Sequence, residues 1–227
     1  PAVEWRSVFG GSPPQVDPKA AFGAVLLYPN DEREIGELAT QPFVSDYLQD
    51  LIEQDRPLAA KVSRADQLLI SGFDAAITTC FAGDRSRAYT VRYDHAAFAQ
   101  RQAQMWWNLL ARAQRLEWLT RVRMRPHGAG EEGREVYDLM YEWTPFNLYD
   151  KPEAISRRVQ QWAGQLSPGA VAFIVGPPTV ADVCRTASVH LQAITPVASL
   201  PTFRMHQSVL PRAQLKPGIM LYQIVRP

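Results

Sequence analysis

The chain is short of the residues that build metal sites and disulfide frameworks. It holds two cysteines, Cys80 and Cys184, and four histidines among 227 residues. With no Cys-x-x-Cys or His-x-x-x-His spacing, neither a zinc cage nor a disulfide scaffold is supported. Each cysteine sits among Ala, Thr and Val, the setting of a buried structural thiol. No metal is expected, and a reducing, cytoplasmic setting fits this thiol usage. Long hydrophobic runs are missing too. No stretch approaches the roughly 18 unbroken apolar residues of a membrane span, and no signal peptide is visible. Lysine is scarce, because 20 of the 24 basic residues are arginine, and the net charge is only +1. So small a charge argues against general attraction to nucleic acid. Nine arginines do fall between Arg85 and Arg125, against only Asp94 and Glu117; they read as a solvated basic face.

What is present suits a substantial core: 46% of the residues are hydrophobic and 21% charged. Residues 1–30 read as an irregular Pro/Gly-rich arm or linker, 31–64 as an N-terminal helical cover, and 65–227 as one α/β domain. The chain opens on Pro1 and a proline-rich lead-in, so a partner domain upstream of residue 1 is expected. Within the cover, DEREIGELA (31–39) and SDYLQDLIEQ (45–54) are expected helices, the second capped by Ser45.

From Gln67 strands and helices alternate. LLIS (68–71), AYTVRYD (88–94), WLTRVRM (118–124), VYDLMYEW (136–143) and AVAFIV (170–175) are expected strands. Arg121, Arg123 and Arg125 charge one face of the third, which places it at a sheet edge. Helical spacing marks 95–116, and 150–166 with an Asp150–Glu153 capping pattern. Residues 179–191 are expected to be helical. FRMHQSV (203–209) and IMLYQIV (219–225), joined by a short loop, are expected to pair antiparallel. Together these give an α/β fold: a doubly wound, mostly parallel sheet with an antiparallel C-terminal strand pair.

In this order the segments resemble the class I S-adenosylmethionine-dependent methyltransferases, a Rossmann-like family. QLLISGFDAA stands where that family has its first strand and glycine-rich loop. Asp94 follows Gly72 by 22 residues, where the family has an acid on the ribose hydroxyls. EVYDLMYEW resembles the fourth strand, QLSPGAVAFIV the turn into the fifth, and LKPGIMLYQIVRP the closing strand. The resemblance implies S-adenosylmethionine as cofactor, held by Ser71, Gly72, Phe73, Asp74, Asp94, Glu142 and Trp143. The family loop has about three glycines and this one has Gly72 alone. Asp74 stands where glycine would let backbone touch the cofactor; it either bonds the cofactor's ammonium group or takes its place. Asp94 also suits an N-cap for the helix after it.

EWTPFNLY (142–149) follows the fourth strand and is expected to border cofactor and acceptor, with Thr144, Phe146 and Tyr149 as substrate contacts. Methyl transfer from a sulfonium needs positioning more than acid–base help, so no catalytic residue is expected to show. The acceptor, small molecule or protein, is not written in these residues. His127 reads as a surface histidine of a Gly-rich loop, and of Trp106 and Trp107 one is expected inside and the other on a contact surface. Three functions are carried forward: a methyltransferase; a methyltransferase-like module without cofactor that serves interaction or regulation in a larger protein; and a nicotinamide-dependent oxidoreductase, disfavoured by the single-glycine turn and the antiparallel ending. An aminopropyl-transferring enzyme is disfavoured because Glu142-Trp143 replaces the expected aspartate.

Overall fold

Runs that are apolar on both faces have to lie inside a sheet, covered by helices on either side. In the computed structural model of the chain, residues 3–10, 44–71, 75–82, 87–93, 96–127, 136–144, 148–187, 189–201 and 218–227 are described. The described strands are β1 (Gln67–Ile70), β2 (Tyr89–Tyr93), β3 (Val122–Pro126), β4 (Tyr137–Trp143), β5 (Leu166–Gly176), β6 (His190–Pro196) and β7 (Met220–Val225). They form one seven-stranded sheet in the order β3-β2-β1-β4-β5-β7-β6. β1 to β5 are mutually parallel where they pair, and β7 runs antiparallel to both β5 and β6. The doubly wound sheet with an antiparallel ending is as expected.

The helices are α1 (Trp5–Phe9), α2 over 44–54, α3 (Arg56–Arg64), α4 (Ala75–Ala82), α5 (Ala96–Arg112), α6 (Pro152–Gln165) and α7 (Thr179–Thr186). Alternation along each strand divides the core into two layers. Leu68, Ile70, Leu139, Tyr141, Val171 and Phe173 face a layer built by α1 to α5. Leu69, Met140, Ala172, Ile174, Tyr222 and Ile224 face α6 and α7. On α5 the buried positions Ala99, Gln102, Ala103, Trp106 and Leu110 recur at helical spacing.

Several elements differ from expectation. The arm read as irregular contains α1, which is amphipathic in five residues: Val8 is buried, and Trp5 stacks on Phe9 at 4.1 Å between centroids. Trp107 of α5 closes this group at 5.4 Å from Trp5 and 6.1 Å from Phe9. Trp106 is buried, as expected of one of the pair, while Trp107 is half-buried against α1 and so packs within the fold. Ser45 lies within α2 and is buried, and so does not begin it. Leu116–Arg121 is a 3₁₀ helix, and the edge strand starts only at Val122. Pro152 takes the first turn of α6, so Lys151 is the N-cap and no side chain caps it. The helix expected over 179–191 stops at Thr186, and His190–Pro196 is the strand that pairs with β7. The segments 31–39 and 203–209 lie outside the described residues.

At the amino ends of the strands one carboxylate joins three of them. Asp138 of β4 accepts the backbone N–H groups of Asp66 and Gln67, each at 3.1 Å, through Oδ2. Its Oδ1 accepts the Ser167 hydroxyl of β5 at 2.9 Å. Hydrogen bonds to a charged acceptor contribute roughly 1.5–3 kcal/mol each. Asp138→Ala is therefore expected to destabilise the fold by about 2–4 kcal/mol, read as a lower urea midpoint, with Asp138→Asn falling between it and the parent.

Two buried acids between β5, β7 and α7 make the fold sensitive to alkali. Burial pushes the Cys184 thiol up from 9.0 to about 11. Burial likewise raises the Tyr222 hydroxyl, with Cys184 and Asp182 adding to the shift; this hydroxyl donates to the Pro177 carbonyl at 2.6 Å. Both groups are held neutral in the fold and ionise more readily once unfolded. Stability from Cys184 is thus fully present below about pH 9 and is lost as pH rises from there through about 11. Urea midpoints at about pH 8 and about pH 10.5 should show the loss, and Cys184→Ala should reduce it.

Candidate functional site

In an open parallel sheet, ligands gather beyond the carboxyl ends of the strands where strand order reverses. Here the chain moves outward from β1 to β2 and β3, then returns to place β4 on the other side of β1. The reversal therefore lies between β1 and β4. Ile70 pairs with Tyr141 there, and the Ser71 N–H continues the pairing by donating to the Tyr141 carbonyl at 2.9 Å. On the far side of β4, the Thr144 N–H donates to the Val175 carbonyl at 2.8 Å. Ser71 and Thr144 thus mark the rim on the two strands that flank the switch point and its neighbour β5.

The outer strands end at the same rim. Tyr93 is the last residue of β2. Partial burial raises its hydroxyl pKa, and the Arg125 guanidinium offsets some of that. Arg125, near the end of β3, donates to the Met124 carbonyl at 2.6 Å and to Val8 of α1 at 3.5 Å. The His127 backbone N–H donates to the Tyr93 carbonyl at 2.7 Å, and its ring bonds elsewhere. Its Nδ1 lies 2.8 Å from the Tyr137 hydroxyl, the tautomer deciding which of the two donates. His127 is half-buried and bonded, which departs from the surface-loop reading.

The residues singled out from sequence fall into three groups. Ser71 is at the rim, and Asp94 is the first residue after β2, but Gly72, Phe73, Asp74, Asp94 and Phe146 themselves lie outside the described residues. Trp143 and Tyr149 are inside the first core layer or against it, whereas Thr144 turns to the side of Gly176 and of Val180 in the second layer. Trp143 and Thr144 are buried, and Tyr149 is half-buried. Glu142 turns to the other layer: it is 2% exposed, and its carboxylate pairs with Nε of Arg158 on α6. Arg158 was not singled out. The signal was present, since it sits three residues after Ile155 and four before Trp162 on an otherwise apolar stripe.

No protein-family model and no curated protein matches the chain. Solved structures do. The magnesium protoporphyrin IX methyltransferase of Synechocystis PCC 6803, determined with bound SAM, superposes with a TM-score of 0.58 at 7% identity, over 92% of this chain and 91% of that one. The N-methyltransferase NodS of Bradyrhizobium japonicum WM9 gives a TM-score of 0.50 at 13% identity, over 80% of this chain and 96% of that one. The fold is that of the class I methyltransferases.

On this class I methyltransferase sheet the rim is tightly packed at β4 and β5. A Cβ on Gly176, the last residue of β5, would lie 2.8 Å from Thr144 Oγ1 and 3.0 Å from Val180 Cγ2. Among the described residues no group of three or more His, Cys, Asp or Glu could hold a metal ion, and no helix is long and apolar enough to cross a membrane. Gly176→Ala is expected to cost about 1–3 kcal/mol through overpacking. Combined with Thr144→Ala, which removes the nearer obstacle, it should cost less than the sum of the two single changes. Urea unfolding of the four proteins of the cycle checks this.

Proposed function

We propose that the chain is an S-adenosylmethionine-dependent methyltransferase with its cofactor in the crevice beyond β1, β2 and β4. The observation that carries the reading is the strand order, which reverses between β1 and β4 and leaves Ser71 at the mouth of that reversal. The available chemistry fits the cofactor. Ser71 and Tyr93 bring hydroxyl groups to the strand ends, and Tyr93 adds an aromatic face. Asp94, next in sequence after Tyr93, suits the ribose hydroxyls, and Asp74 suits an ammonium group.

When bound, S-adenosylmethionine supplies a methyl group already activated on a sulfonium. This chain's task is then to orient and to exclude water, which supplies much of the rate in such transfers. Backbone approach at Ser71-Gly72 would position the cofactor, and Thr144, Phe146 and Tyr149 would face the acceptor, whether small molecule or protein. A second reading is kept because Gly72 is the single glycine between Ile70 and Ala76: a methyltransferase-like module that binds no cofactor and serves interaction or regulation within a larger, cytoplasmic protein.

Calorimetry with S-adenosylmethionine and S-adenosylhomocysteine separates the two. The methyltransferase reading expects saturable heat and about a tenfold or greater loss of affinity in Asp94→Ala. A parent chain silent at millimolar ligand would abandon it for the cofactor-free module.

A further inference from the structure

Among the described buried residues Glu142 is the only aspartate, glutamate, lysine, arginine or histidine. It lies on β4 opposite Ile174 of β5, on the face that Met140 shares with α6 and α7. A carboxylate in such a layer needs a counter-charge, and Arg158 of α6 supplies it. The Glu142 side chain is 3% exposed and that of Arg158 33%. Pairs of this kind contribute little net stability compared with apolar side chains of similar volume, although losing one partner strands a charge. The pair's contribution must therefore be sought in placement as much as in stability.

Its location says what is placed. Glu142 sits between Tyr141, whose carbonyl receives the Ser71 N–H, and Thr144, whose N–H reaches Val175. Those two bonds hold the carboxyl end of β4 to its neighbours on either side. β4 ends at Trp143 and α6 begins at Pro152, so the ion pair also closes the connection that contains Thr144 and Tyr149. We propose that Arg158 is a positioning residue: by clamping Glu142 it fixes the carboxyl end of β4, and with it the Ser71 and Thr144 walls of the crevice. The part of this that concerns cofactor rests on the methyltransferase reading above; the part that concerns placement does not.

The test is the double variant Glu142→Met with Arg158→Met in the full chain, which removes both charges and leaves neither stranded. Its urea midpoint is expected to equal or exceed the parent's. Amide hydrogen exchange at Ser71 and Thr144 is expected to quicken about tenfold while exchange in β5 stays slow, and affinity for S-adenosylhomocysteine to weaken about tenfold. Ser71 and Thr144 amides as protected as in the parent would overturn the proposal and leave the pair a packing feature. Should the double variant not fold, Arg158→Lys keeps the charge and changes the geometry, and the same two amides decide by the same criterion. If the parent shows no S-adenosylhomocysteine binding, the methyltransferase reading fails, while the exchange result still decides the placement.

Discussion

The arrangement depends on a carboxylate at the bottom of the sheet. Parallel strands do not meet in a tight turn that would fix their offset, so register has to come from elsewhere. Asp138 supplies it by accepting two backbone N–H groups at the start of β1 and the Ser167 hydroxyl entering β5. Each strand residue advances about 3.3 Å, so fixing the starting points fixes which residues reach the rim. Leu68 stands beside Leu139 and Ile70 beside Tyr141, and the chain leaves the sheet at Ser71. A slip of one residue would turn Leu69 and Met140 into the wrong layer and would bring a different residue to the mouth of the crevice.

The two edges of the sheet are handled differently, and the difference follows from sequence. β3 alternates Val122 and Met124 inward with Arg123 exposed, a pattern that leaves its outer side to be covered locally. α1 lies against that strand, held by the Trp5, Phe9 and Trp107 rings and by Arg125 reaching the Val8 carbonyl. β6 has mostly exposed side chains, a break in register between Leu191 and Ala193, and a proline at its end. Charge, a bulge and proline are the devices that keep a free strand edge from recruiting another.

Legibility in the sequence tracks burial. LLI and AVAFIV are recognisable because both of their faces are apolar, and VYDLMYEW because one of its faces is; β1 and β4 lie within a residue of the expected place, whereas β5 begins four residues early, at Leu166. β6 escaped notice because an exposed strand with a bulge loses its alternation; its first two residues, His190 and Leu191, look like the end of a helix, and the rest shows no pattern. The cap of α6 was misplaced by one residue because Pro152 fixes the first turn more strongly than the Asp150–Glu153 spacing. At the site, Ser71, Glu142, Trp143 and Thr144 stand at strand ends, as their place in the sequence suggests. The direction of Glu142 was not legible, because a strand pattern gives the face but not which distant helix meets it. Arg158 on the stripe of Ile155, Val159 and Trp162 was the available clue.

Similarity at 7% identity over 92% of the chain has a physical consequence. Few individual side chains can be shared, so what the two chains have in common is the course of the backbone. That course places a crevice; it does not choose the crevice's chemistry. In this chain the general scaffold reaches as far as Tyr93 and Trp143, the last residues of β2 and β4. The choice between a loaded and an empty crevice falls to the few residues beyond them, where Gly72, Asp74 and Asp94 stand in the sequence. A glycine-poor loop is compatible with the scaffold's stability, because the sheet's register is set at the opposite end by Asp138. The fold therefore does not by itself decide whether a cofactor binds.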